Sequence, residues 1–128
     1  MMSGIADSAA PDGHTILVVD DEFDIVTVNT MLFAYHGYRV VGASNGREAL
    51  AAVALQRPDL IVSDYMMPIM NGVEFCHAVK SDPALQAIPF ILLSAAFPGD
   101  VERVPCDAFL KKPVLFENLL VQVRRLLG

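Results

Sequence analysis

Short apolar segments of this chain end in residues suited to phosphoryl transfer onto a carboxylate. Asp20 and Asp21 follow Ile16-Leu17-Val18-Val19, and Asp64 follows Leu60-Ile61-Val62-Ser63. Ser94 follows Phe90-Ile91-Leu92-Leu93, Lys112 stands just beyond Ala108-Phe109-Leu110, and Val40-Val41 supplies a fifth segment. In an open parallel sheet the ligand crevice lies outside the carboxyl ends of the strands. Residues remote in sequence then meet at one edge. Three carboxylates, one hydroxyl and one ammonium gathered there describe a metal-assisted phosphoryl-acceptor site.

The elements that must position them alternate strand and helix, the pattern of a parallel sheet with crossover helices. Strands are predicted at Thr15–Val19, Tyr38–Gly42, Asp59–Ser63, Phe90–Leu93 and Asp107–Leu110. A first helix spans Glu22–Tyr35, with Ile25, Val28 or Met31–Leu32, and Tyr35 returning at helical intervals and Gly37 as a left-handed cap. Ser44 or Asn45 caps a second helix through Gln56, which Pro58 forbids from continuing. A loop with Pro68 and Gly72 leads into a third helix ending near Lys80, and Pro83 to Ala87 makes one turn. Two prolines and a glycine bracket Asp100–Val104, too little for a full helix. Leu115–Leu127 is a closing amphipathic helix with Leu115, Leu119, Val123 and Leu126–Leu127 on its buried side.

The 128 residues make one domain. A hydrophobic fraction of 54% exceeds the globular average and suits a sheet covered on both faces. No apolar stretch approaches the roughly 18 residues of a membrane span. The net charge of −6 and scattered basic residues argue against nucleic acid as a direct partner. Cys76 and Cys106 have neither metal spacing nor a disulfide framework, and are read as buried small hydrophobes in a reduced, cytoplasmic setting. Met1–Gly13 lacks the basic start and apolar core of a secretory signal and is read as a disordered tail, leaving 14–128 as the folded domain. His36 and His77 are read as solvated.

Four motifs together resemble the receiver domains of two-component response regulators, over Thr15–Leu127. They are Val18-Val19-Asp20-Asp21-Glu22, Ser63-Asp64-Tyr65-Met66-Met67-Pro68 with Asn71-Gly72, Leu93-Ser94-Ala95, and Phe109-Leu110-Lys111-Lys112-Pro113. The resemblance implies an α/β fold, a doubly wound five-stranded parallel sheet of order 2-1-3-4-5 with helices on both faces. It implies a cis Lys112-Pro113 bond. The span from Ser94 to Lys112 is about one helical turn shorter than in typical receivers, so the fourth helix of the family is expected to be short or irregular here.

The chemistry agrees with the resemblance. Asp64 is the candidate nucleophile, a carboxylate that becomes a mixed anhydride. A Mg²⁺ ion would neutralise the transferring oxygens, with Asp21 and Asp64 as direct ligands, Asp20 acting mainly through water, and the Met66 backbone carbonyl completing the protein set. Lys112 and Ser94 would each contact a phosphoryl oxygen. The family's switch pairs the hydroxyl with an aromatic three residues before the lysine, which makes Ser94 and Phe109 the switch pair.

What the resemblance implies is a phosphoacceptor that takes its phosphoryl group from a histidine kinase or histidine phosphotransfer protein and signals to an unidentified downstream protein. Its only catalysis is its own phosphorylation and dephosphorylation, so it is not an enzyme in the ordinary sense. No membrane is implied, and a homodimer is compatible with it. The alternative is a phosphorylation-independent adaptor or dimerisation module in which the carboxylates are relics.

Overall fold

Strands whose two pleat faces are both apolar require cover on both sides, and three of the five here are buried along their whole length. The computed structural model describes residues 13–95 and 104–128. Strands β1 (Thr15–Val19), β3 (Leu60–Asp64) and β4 (Phe90–Ser94) form the buried centre, with β2 (Arg39–Ala43) and β5 (Ala108–Lys111) at the edges. All pairings are parallel and the order is β2-β1-β3-β4-β5, as expected. The described helices are α1 (Phe23–Tyr35), α2 (Gly46–Leu55), α3 (Gly72–Ser81) and α4 (Phe116–Leu127). None is long and apolar enough to cross a membrane.

Alternate residues of each strand build two cores. Leu17, Val19, Ile61 and Leu92 meet Ala49, Val53, Phe75 and Val79 of α2 and α3. Ile16, Val18, Leu60, Val62 and Ile91 meet Phe33 of α1 and Leu119, Leu120 and Val123 of α4. The helices lie on both faces, with α1 and α4 sharing one.

Local chemistry sets the helix ends. Gly37, at φ +91°, donates its N–H to Ala34 while Tyr38 donates to Phe33, which closes α1 as predicted. Between the two candidate caps of α2, Asn45 takes the role: its side chain accepts from the Glu48 N–H. Helix α3 begins with a reciprocal pair in which Asn71 accepts from Glu74 N–H and the Glu74 carboxylate accepts from Asn71 N–H.

The structure corrects some details. Leu115 does not join the buried side of the closing helix. It precedes the first turn and is 61% exposed, and Leu120 takes the inward place. His36 is half-buried rather than solvated, its ring stacked on Phe116 at 5.8 Å. Strand β2 begins one residue later than expected because the Tyr38 N–H is taken by the Phe33 carbonyl in the cap of α1. Cys76 is buried as expected, and desolvation pushes its thiol pKa up to about 12, whereas Cys106 is half-buried rather than buried. The expected tail, up to residue 12, and the short or irregular helix before β5, residues 96–103, lie outside the described residues.

Candidate functional site

The strand ends carry the site. Asp20 and Asp21 come directly after β1, Asp64 ends β3, Ser94 ends β4, and Lys112 comes directly after β5. The parallel register holds them level, with Val19 opposite Ser63, Asp64 opposite Leu93, and Ser94 opposite Lys111. The register thus turns Lys111 against Ser94 and leaves Lys112 as the ammonium at the carboxylates.

Lys112 Nζ lies 2.9 Å from Asp64 Oδ1 and 3.6 Å from Asp20 Oδ2. Its backbone N–H donates to the Ser94 carbonyl at 2.7 Å, and the Lys112–Pro113 bond is cis, in agreement with the resemblance. Asp20, Asp64 and Ser94 are buried, whereas Asp21 is exposed. One carboxylate oxygen from each of Asp20, Asp21 and Asp64 lies within 4.8 Å of the others. Two ligands on a magnesium at its usual bond length of about 2.1 Å stand at most about 4.2 Å apart. Neighbouring ligands on the same octahedron stand about 3.0 Å apart, so the carboxylates would draw closer together on sharing such an ion. Met66, whose carbonyl belongs to the expected set, lies in the loop after β3 with its side chain exposed. Phe109 sits half-buried on β5, opposite Leu92.

The charges are mutually adjusted. Burial raises the Asp20 pKa above the ordinary aspartate value. The Glu22 N–H, donating to Asp20 Oδ1 at 2.9 Å, works against this, Asp64 adds to it, Lys112 opposes it, and Asp21 adds a little more. Burial alone would depress Lys112, but its hydrogen bond to Asp64 and the charges of Asp64 and Asp20 outweigh that and raise its pKa. A carboxyl raised in the fold loses stability when it ionises, a loss that vanishes as pH falls through the folded pKa. Metal-free Asp20→Asn is therefore expected to melt above the parent at pH 7, with the advantage shrinking in acid. Thermal melts in a chelator test this, and a lower melting temperature at pH 7 would contradict it.

The loop after Asp64 fixes the backbone on which its carboxylate stands. Tyr65 N–H donates to Leu93 O at 2.8 Å, and Gly72 N–H donates to Tyr65 O at 2.7 Å. A Cβ on Gly72 would overlap the Asp64 carbonyl oxygen, so only glycine permits this approach. The sequence motif contains Gly72 but does not disclose that contact; the available signal was a glycine at the first position of a helix. The same loop turns through Ile69 at φ +72°, an uncommon conformation for a β-branched residue, beside the site.

Residues 16–124 match the family described as response regulator receiver domain. The chain belongs to that family. This receiver domain is 33% identical over 117 residues to the probable transcriptional regulatory protein TcrX of Mycobacterium tuberculosis, covering 88% of this chain and 49% of that protein. It is 32% identical to the polar-differentiation response regulator DivK of Brucella anthropi, covering 88% of this chain and 94% of that one. Among solved structures it resembles the receiver domain of a signal transduction histidine kinase from Syntrophus aciditrophicus, with TM-score 0.83, 35% identity and 89% of each chain covered. The receiver thus spans about half the length of TcrX and nearly all of DivK.

Proposed function

We propose that this receiver accepts a phosphoryl group on Asp64 from the phosphohistidine of a kinase or a histidine phosphotransfer protein. The observation that carries the reading is Lys112 Nζ at 2.9 Å from Asp64 Oδ1, beside carboxylates gathered within 4.8 Å. Asp21, Asp64 and the Met66 carbonyl would hold Mg²⁺, with Asp20 acting through water. The ion would supply positive charge to the phosphoryl oxygens during transfer. An Asp64 carboxylate oxygen attacks phosphorus and the donor imidazole departs. Lys112 passes from its pairing with Asp64 to a phosphoryl oxygen, and the Ser94 hydroxyl donates to another.

Movement of Ser94 toward that oxygen would open room behind it, into which Phe109 turns. Having no phenolic hydroxyl, Phe109 is held there by packing alone. The effect is a population shift toward a surface read by a downstream protein. The domain works in the cytoplasm and turns over no substrate besides its own phosphoryl group. TcrX is described as a probable transcriptional regulatory protein, which supports a signalling role and leaves the partner of this chain to experiment.

Incubation with acetyl phosphate and Mg²⁺ is expected to add the mass of one phosphoryl group. The gain should be absent without the metal and in Asp64→Asn, and an adaptor that works without phosphorylation would show none. Met66 offers no group to orient water, so after donor removal the added mass should persist well beyond seconds. Loss within seconds would contradict the stated role of Met66.

A further inference from the structure

Helix α2 grips the loop that follows Asp64. Gly46 opens that helix, and its N–H is one of the first-turn donors that a helix cannot satisfy from within. It donates instead to the Met70 carbonyl at 2.9 Å, while the Glu48 N–H is taken by the Asn45 side chain. The two backbones are pressed together. A Cβ on Gly46 would stand 2.6 Å from Met70 Cγ and 2.9 Å from the Met70 carbonyl oxygen, so the missing side chain is what lets Met70 lie there. Gly46 is buried, and Met70 packs partly into the core that Ala49 and Val53 of α2 line.

The residue before Met70 carries the strain of this seat. Met70 N–H donates to the Pro68 carbonyl at 2.7 Å, which makes Ile69 the centre of a three-residue turn, and its φ of +72° makes that turn the rare, strained form. The Ile69 side chain is 73% exposed and gains little by packing. Strain of this kind persists only where the surroundings over-determine it. On the inner side of the loop, Gly72 N–H donates to Tyr65 O and ties it to the end of β3. On the outer side, Gly46 supplies the hold. Met66 lies within the same loop, between Tyr65, whose N–H donates to Leu93 O, and Met67, whose side chain enters the core that α2 lines.

We propose that Gly46 is a positioning residue for the metal site: by seating Met70 it holds Ile69 in the strained turn, and so keeps the loop ready to offer the Met66 carbonyl to the cation. This role rests on the reading of Asp21, Asp64 and Met66 as the Mg²⁺ ligands. Without the seat, Ile69 relaxes to negative φ and carries its neighbours with it. The competent loop becomes a minor conformer, and the apparent Mg²⁺ affinity falls by the fraction that stays competent. Strain at one such residue corresponds to a factor of about ten in that population. A helix that does not touch the ion thereby sets how tightly it is held.

Titration calorimetry of the full chain with Mg²⁺ tests this role. Gly46→Ala is expected to weaken Mg²⁺ binding about tenfold, with circular dichroism unchanged. Ile69→Gly should bind the ion at least as tightly as the parent and, without metal, melt a few degrees higher. Gly46→Ala combined with Ile69→Gly should recover most of the lost affinity, a rescue that a merely destabilised helix would not give. Equal affinity in Gly46→Ala and the parent, or a double variant no better than Gly46→Ala, would overturn the proposal and leave the Mg²⁺ site standing. A parent that takes up no Mg²⁺ would remove the site and this role together. Ile69→Gly adds no atoms, so it decides even where Gly46→Ala does not fold: an unchanged or lower melting temperature means there is no strain to hold, and the proposal fails.

Discussion

Lys112→Ala is expected to slow phosphoryl uptake from acetyl phosphate by about two to three orders of magnitude, the usual cost of removing a positioned donor from developing charge. Lys112 is the side chain that the fold seats between Asp64 and Asp20, at 2.9 Å and 3.6 Å. Its pKa is raised by those neighbours. The pairing therefore contributes stability that is present throughout neutral pH and disappears only as pH climbs past the folded value, above that of an ordinary lysine. The alanine variant should lose rate at every pH near neutrality, and intact-mass time courses would check this. A rate within threefold of the parent at equal Mg²⁺ would remove Lys112 from the chemistry.

Gly72→Ala should produce the largest structural effect. Alanine for glycine inside a helix ordinarily gains up to about 1 kcal/mol. Here the added methyl meets the Asp64 backbone carbonyl, which belongs to a strand buried along its length. The expected outcome is a loss of about 3 kcal/mol or more, measured by denaturant unfolding. A neutral or stabilising result would show that the β3–α3 loop can shift without cost, and that Gly72 does not fix Asp64.

The sequence disclosed the site because its parts lie at the ends of strands. A run such as Leu60-Ile61-Val62-Ser63 identifies a strand covered on both faces, and the residue after it must stand at the edge of the sheet. Lys112 rather than Lys111 followed from the neighbouring proline and agrees with the register, which sets Lys111 opposite Ser94. The strand order was supplied by the resemblance, because five similar apolar runs do not state which neighbours which. Periodicity could place α1 and could not orient it. With Val26, Phe33, Ile25, Val28 and Leu32 on one short helix, apolar residues occupy more than one face, and only the sheet decides that Phe33 goes in. The burial of Leu115 failed for a related reason: a leucine in phase with a helix is still outside it when the chain has not yet turned. The contact between Gly72 and the Asp64 carbonyl was hidden because close backbone approach leaves no trace in hydropathy.

The account rests on Asp20, Asp21 and Asp64 sharing one divalent cation, and a Mg²⁺ titration followed by thermal melting tests it most directly. At a hundred times the dissociation constant, the parent should gain about 2.7 kcal/mol of stability, seen as a rise in melting temperature that saturates. Asp64→Asn and Asp21→Asn should lose most of that rise. An unchanged melting temperature at millimolar Mg²⁺, or a rise that survives both substitutions, would contradict it.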